Sequence, residues 1–405
     1  MRAFRSGTND HAGDSPKAPV SDDDMGDFPQ LEFSIDQVKR AGELLREDLI
    51  WSADREPEIR EVFRIANNWR ESHALPMHRI RQFMTSRLRS ASCTGLTAAR
   101  LKRMSSVRKK LRTQPTKLHR MQDLGGCRAI LTSMDEVRRL LPTLRESERY
   151  RVYRETDYIS SPKPDGYRCH HLMVEFRGEG SLAPFDGRRI ELQVRSRLQH
   201  SWATAVEAVG LYRSEDFKGG SGDPQWRRLF ALMSAELASV ERCPEPADVG
   251  DAASRAAELR ELNERLDAVE VLERLRQTIR YAKTYLDPLV RPDYFLVRFD
   301  PATRLVTIDY KYGAKVGTSS LNEAELRDEV GSVQSDTVLI EADRLEQLEQ
   351  AYPNYFGDVH IFAQNLSDIA RGKGAREYTL PPRSAPPPPP YEAPDASWFR
   401  RVTRR

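Results

Sequence analysis

Apolar positions along the chain switch between two periods, and the switches divide it into segments. From Phe33 the spacing is helical: Ser34 is placed to cap a helix whose Val38, Ala41 and Leu45 share a face. The stretch "EVFRIANNWRESHALPMHRIRQFMTSRL" continues as helix with a break at Pro76, and its Trp69 and His73 fall one turn apart as packing residues. From Thr97 to Asp216 short strand-like runs appear, "CRAILTS", "YRVYRETDYI", "HHLMVEF" and "RRIELQVRS", with a helix "MDEVRRLLPTLRES" among them and another, "RLQHSWATAVEAVG", after. This predicts an α+β fold, a mixed sheet of four or five strands with flanking helices. "CPEPADVGD" reads as a linker. Beyond it, Leu259, Leu262, Leu266, Val269, Leu272, Leu275 and Ile279 predict one long amphipathic helix or short coiled coil. A hairpin turning at Asp300 to Thr303, a strand "TVLIEA" and a helix "RLEQLEQAY" then predict a smaller α+β module.

The domain reading is an arm over 1–30, a first domain over 31–243 with its core at 97–210, a linker at 244–252, the second module over 253–375, and a proline-rich basic tail over 376–405. The length suits more than one unit. With 64 basic and 61 acidic residues the formal charge is only +3, so any basic site must be local. Cys93, Cys127, Cys169 and Cys243 show no metal-ligand spacing and read as reduced thiols. Neither a membrane-length apolar run nor a secretory leader is seen, so the expectation is a cytoplasmic protein without membrane contact.

Candidate chemistry clusters in the first domain. No acid occurs between Ala98 and Arg120. With "ARLKRMSSVRKKL" placed on a helix, Leu101, Met104, Val107 and Leu111 face the core, and Lys102, Ser106 and Lys110 align at i, i+4, i+8. That ladder suits a polyphosphate, although basic runs more often form a solvated face. Asp123, ahead of a glycine pair, is placed to hold a hard cation such as Mg²⁺ or simply to make a turn. In "RIELQVRS", Ile190, Leu192 and Val194 alternate with Glu191, Gln193 and Arg195, which offers a second carboxylate, Glu191, for the same cation. In "DYISSPKPDGYRCHH", Lys163 can meet a phosphate and Tyr167 a base, with His171 following; the plainer reading is a proline-rich surface turn.

Taken together and in order, "RLKRMSSVRKK", "DLGGCRAI", "DYISSPKPDGYRCHH", "IELQVRS" and "HSWA" resemble the synthetase domain of the RelA/SpoT family of alarmone, or ppGpp, synthetases. The resemblance implies a nucleotidyltransferase-like layer that moves the β,γ-pyrophosphate of ATP to the 3′-hydroxyl of GDP or GTP. It implies that Arg100 and Arg128 sandwich the ATP adenine, and that Lys102, Ser106 and Lys110 hold its phosphates. Asp123 and Glu191 would carry Mg²⁺, with Glu191 helping to deprotonate the acceptor. Tyr167 would stack on the acceptor guanine, and Lys163, His171, Gln193 and Arg195 would orient its phosphates and the reacting centre. His200 falls near the acceptor where the family often has another polar residue, and Cys169 stands where a serine is common.

Larger members carry a hydrolase with a His-Asp pair; no His-Asp dipeptide occurs in this chain, and synthesis without hydrolysis is expected. The second module reads foremost as regulatory or oligomeric. A sharper reading makes it an inhibitor in cis, with "YPNYF" at Tyr352 to Phe356 entering the nucleotide pocket, though aromatics at that spacing are more often core. Members of the family often form oligomers, a point on which the sequence is silent. Rival readings are a toxic relative that pyrophosphorylates adenosine nucleotides or the 3′ end of tRNA, a non-catalytic nucleotide- or RNA-binding regulator, and an interaction scaffold built on the long helix.

Overall fold

The computed structural model describes residues 27–377 except 214, 216, 218–219, 279, 284–291, 332–334 and 357–358. Most of the expected arm and all but the first residues of the tail lie outside the described residues. Phe28 is already buried, with its ring 5.3 Å from that of His78. Helix α1 (Ile35–Leu44) starts at a reciprocal cap between Ser34 and Gln37. Helices α2 (Glu56–Glu71) and α3 (Ala74–Ser90) are interrupted at Ser72 and His73, so Pro76 sits in the first turn of α3, where its missing N–H costs nothing.

The strands are β1 (Gly95–Leu101), β2 (Gly125–Leu131), β3 (Tyr150–Asp157), β4 (His170–Phe176) and β5 (Arg189–Ser196), with α4 (Met104–Thr113) after β1 and α5 (Met134–Arg145) after β2. Strand β1 was not expected: the basic helix predicted from Ala99 begins only at Met104. "GLTAARL" carries small residues on both faces because the strand is central, and a central strand lacks the alternation that betrays an edge. β5 is followed by α6 (Arg197–Arg213), α7 (Pro224–Val240), α8 (Ala252–Leu266) and α9 (Ala268–Thr278). The predicted long helix therefore breaks at Asp267, which adopts φ 47° in the left-handed region. Its last residues leave the helix, and Arg280–Lys283 form β6.

β7 (Tyr294–Asp300) and β8 (Leu305–Lys311) make the expected hairpin, with Asp300 accepting from the backbone of Ala302. They are followed by α10 (Ala314–Val330), β9 (Asp336–Glu341), α11 (Leu345–Ala351) and α12 (His360–Ala370). All the strands join one mixed sheet in the order β3-β4-β5-β2-β1-β9-β7-β8-β6. The seam is β1 against β9, where Ala99 pairs with Glu341 and Arg100 with Ile340. The C-terminal strands thus continue the sheet that carries the candidate residues.

One face of β1, β2, β4 and β5 is apolar: Ala99, Leu101, Cys127, Ala129, Leu172, Val174, Ile190, Leu192 and Val194 pack with α3 and α5 in the main core. A second core joins α6 to α9 and α12, a third α1, α2 and α4, and a fourth backs the C-terminal strands with α11. The opposite face of the first five strands is left for chemistry. No described helix is long and apolar enough to cross a membrane.

Candidate active site

Strand register arranges the polar face in rows. Arg100 faces Gly126 across β1 and β2, Gly126 faces Glu191, Glu191 faces Met173, and Met173 faces Arg154. In the next row Arg128 faces Gln193 and Gln193 faces His171. Gly126 opens a gap beside Glu191: a Cβ built there would meet nothing closer than 3.8 Å. Alternation along β5 therefore performs the task the sequence assigned to it, with Glu191, Gln193 and Arg195 on one face.

Lys102 lies in the turn between β1 and α4, its N–H donating to the Leu124 carbonyl, while Ser106 and Lys110 ride on α4. The two ammonium groups converge on one carboxylate oxygen, Asp123 Oδ2, at 3.0 Å from Lys102 and 2.9 Å from Lys110. Burial pushes the Asp123 carboxyl up, but the two lysines outweigh it and hold the group below its ordinary value. Asp123 Oδ1 is buried with no hydrogen-bond partner. Asp123, Glu191, Lys110 and Arg154 line a single cavity of about 270 Å³. Among the described residues no cluster of three or more metal-ligating side chains occurs. An orphan carboxylate oxygen and a second carboxylate on one wall fit a Mg²⁺ bound by one or two carboxylates, with substrate phosphates and water completing its shell.

Glu191 is tied at both oxygens, Oε1 to His171 Nδ1 at 2.9 Å and Oε2 to Gln193 Nε2 at 2.8 Å. His171 Nε2 lies 2.8 Å from the Tyr167 hydroxyl. Burial alone would lower the His171 pKa, yet the neighbouring Cys169 and Glu191 side chains raise it to about 10. The balance favours the imidazolium, whose hydrogen bond and charge face Glu191. For Glu191, burial raises the pKa, and the His171 hydrogen bond and charge bring it below the ordinary value.

Gly166, at φ +95°, shapes the loop between β3 and β4. Its carbonyl accepts from the Ser234 hydroxyl of α7 at 2.6 Å, and the next residue but one, Arg168, is 1% exposed and paired at 2.5 Å with Glu241, itself 0% exposed. Tyr167 is thus held between two anchors on the α7 side. Its ring meets Tyr158 and Trp202 edge-on at 5.9 and 6.3 Å, and the Lys163 ammonium lies over it at 5.1 Å. Sequence reasoning did not find Ser234 or Glu241, because a serine and a glutamate on an amphipathic helix carry no signal until the loop folds onto them.

At the other end of the face, the Arg128 guanidinium stands 4.8 Å and that of Arg100 5.4 Å from the centre of the Tyr352 ring, which is 2% exposed. Arg128 Nη1 donates to the Ala351 carbonyl at 2.8 Å, and His200 Nε2 to that of Gln350 at 2.9 Å. His200, expected near the acceptor, is thus found against the end of α11. Arg195 is buried nearby; burial, and then the charge of Arg128, lower its pKa to about 10. The structure therefore gathers Asp123, Glu191, Gln193, His171 and Tyr167 around one centre, and Arg100, Arg128, Arg195 and His200 around Tyr352.

One sheet face thus carries a tyrosine held through His171 to Glu191, a carboxylate met by two lysines, and two arginines over the Tyr352 ring. The segment carrying that face has known relatives: residues 99–216 match the region found in RelA / SpoT proteins. GTP pyrophosphokinase YjbM of Bacillus subtilis (strain 168) is 27% identical over 146 residues, covering 35% of this chain and 64% of that relative. GTP pyrophosphokinase YwaC of the same strain is 29% identical over 120 residues, covering 28% and 56%. The matches thus span less than two thirds of either relative. Among solved structures, small alarmone synthetase 1 from Bacillus subtilis bound to its product pppGpp is similar over 42% of this chain and 90% of that one, at 20% identity and a TM-score of 0.36. Arg100, Lys102, Ser106, Lys110, Asp123, Arg128, Lys163, Tyr167, His171, Glu191, Gln193, Arg195 and His200 all fall inside the matched residues 99–216.

Proposed function

We propose that the chain is an ATP-dependent pyrophosphotransferase that makes the alarmone (p)ppGpp from GTP or GDP. The observation that carries this is the shared cavity of Asp123 and Glu191, with Lys102 and Lys110 on Asp123 and Tyr167 wired through His171 to Glu191. In this reading Arg100 and Arg128 stack on the donor adenine, and Lys102 and Lys110 release Asp123 and, with Ser106, grip the donor phosphates. The acceptor guanine lies on Tyr167. Its 3′-hydroxyl loses its proton to Glu191, its oxygen bonds to the β-phosphorus of ATP, and the α–β bridging bond breaks to release AMP. Asp123 and Glu191 would hold Mg²⁺, which supplies charge neutralisation for the transferred group. Arg195, buried between the two seats, is suited to face the charge that builds between them.

The same reading makes the described conformation a closed one. Tyr352 fills the gap between Arg100 and Arg128 that the adenine needs, so α11 must withdraw before ATP binds. Purified protein incubated with γ-labelled ATP, Mg²⁺ and GDP, GTP, AMP or deacylated tRNA in parallel tests the reaction. Label on the guanosine nucleotide alone, and no pyrophosphate release from added ppGpp, are the expected results. Label on AMP or tRNA alone would overturn the acceptor assignment.

A further inference from the structure

The larger described cavity, about 380 Å³, lies beside the catalytic one and shares Arg120 and Met121 with it. Its walls include Trp69, Tyr153, His119, Arg120, Arg188 and Arg189, and among the described residues no acidic one lines it. Two of the guanidiniums lie over rings, Arg188 at 4.4 Å from the Trp69 centre and Arg189 at 4.2 Å from that of Tyr153. Arg188 is buried and donates only to neutral oxygens, Ser72 Oγ at 2.9 Å, the Pro184 carbonyl at 3.4 Å and the Asp186 carbonyl at 3.5 Å. Arg189 has one carboxylate neighbour, Glu175 at 3.4 Å. Trp69 Nε1 and His119 Nδ1 are buried donors or acceptors without a partner. Tyr153, 47% exposed, leaves an aromatic ring at an outer strand of the sheet.

A small inorganic anion would use the arginines and leave the rings idle, whereas an apolar ligand would strand the charges. A molecule with both a phosphoryl group and a flat ring uses both, because guanidinium planes and aromatic faces stack on bases while the N–H edges bind phosphate. The volume is that of a small-ligand site. We propose that this cavity is a second nucleotide seat, binding a nucleoside phosphate next to the transfer centre. Its phosphate meets Arg120, Arg188 and Arg189, and its base lies on the Tyr153–Arg189 surface. Adjacency to the acceptor rests on the synthetase reading; occupancy does not. None of the described lining comes from α10 or α11, so the seat does not depend on the withdrawal of Tyr352.

The nucleoside phosphate has two sources, a separate mononucleotide or a further unit of the acceptor itself, and binding to the full chain distinguishes them without turnover. Calorimetric titrations with GMP and with the dinucleotide pGpG, and inorganic phosphate as control, are run on the wild type, Arg189→Ala, Tyr153→Ala and Tyr167→Ala, each checked for an unchanged thermal midpoint. A separate ligand gives GMP binding that Arg189→Ala and Tyr153→Ala each weaken about tenfold and Tyr167→Ala leaves alone. A seat for the acceptor's next unit gives pGpG binding tighter than GMP, with that gain lost in Arg189→Ala and in Tyr167→Ala. Wild-type affinity for both probes in Arg189→Ala and Tyr153→Ala, or phosphate binding as tightly as either nucleotide, overturns the proposal. A failure of pyrophosphate transfer leaves these titrations unaffected, so the two readings fail separately.

Discussion

In the proposed reaction Glu191 is the residue on which acceptor and metal chemistry meet, and its partner His171 sets how it responds to pH. The raised His171 pKa, about 10 against an ordinary 6.5, means that folding favours the imidazolium. Its contribution is complete below pH 6.5 and lost as pH rises through about 10. The transfer rate should therefore show no histidine inflection at neutral pH, and a fall in rate as pH rises through 6.5 would contradict the His171–Glu191 pairing. Tyr167 acts differently in that proposal, by stacking. Replacing it with alanine removes about 1–3 kcal/mol of base contact, so the acceptor KM should rise roughly 10- to 100-fold with the donor KM unchanged. Tyr167→Phe keeps the ring and loses only the hydroxyl contact to His171, so most acceptor affinity should survive. These residues were legible in the sequence because their chemistry is carried by type and spacing within one strand or loop. Trp69, Tyr153 and Arg188 were not, since the cavity they line is built from α2, β3 and the turn before β5, far apart in the chain.

At the scale of elements, the strands with clean alternation, β4 and β5, follow the sequence pattern, and the departures have local causes. β1 hides in a basic, alanine-rich stretch because both its faces are covered. Asp267 ends α8 by taking a left-handed conformation that apolar spacing cannot reveal. Helix α10 went unread because its apolar stripe is thin, with Ala314 and Leu321 in the main core, and its hold on α2 and α4 is partly polar. Glu325 accepts from the Met104 N–H at the start of α4 at 2.8 Å and pairs with the fully buried Arg70 at 2.7 Å. A carboxylate thus caps the helix that carries Ser106 and Lys110, where an anion is favoured by the unsatisfied N–H groups. If α10 and α11 together hold the donor site shut, Glu325→Gln should weaken the contact and raise ATP binding without touching the site itself. Unchanged ATP affinity in that variant would limit the closure to α11.

For the whole molecule, the seam between β1 and β9 matters most. Glu341 is buried there against His78 Nδ1 and Arg81 Nε, both at 2.7 Å, and Arg81 reaches on to Asp343 at 2.8 Å. Burial would raise the Glu341 pKa, but Arg81 and then His78 outweigh it and bring it to about 2. A depressed carboxylate stabilises the fold above its ordinary 4.5, and that contribution disappears as pH falls through about 2. Removing one partner of a buried ion pair costs about 3–5 kcal/mol, so Glu341→Gln should lower the thermal midpoint by several degrees and loosen the C-terminal strands. An unaltered midpoint would mean that the two halves are joined by apolar packing alone. A sheet shared across the seam explains how a C-terminal helix can reach Arg100 and Arg128: β9 delivers the chain to α11, and Tyr352 caps the end of α11.

The central claim is that a pyrophosphate-transfer site lies on this sheet, closed by Tyr352 over Arg100 and Arg128. It is tested most directly by the initial rate of γ-label transfer from ATP to GTP, compared between the full-length wild type, Tyr352→Ala and the double variant Tyr352→Ala, Asp123→Asn. The account predicts a low wild-type rate, a rise of tenfold or more in Tyr352→Ala from removal of the competing ring, and loss of transfer in the double variant. A Tyr352→Ala rate equal to or below that of the wild type would contradict the closure, and transfer that persists without the Asp123 carboxylate would contradict the site.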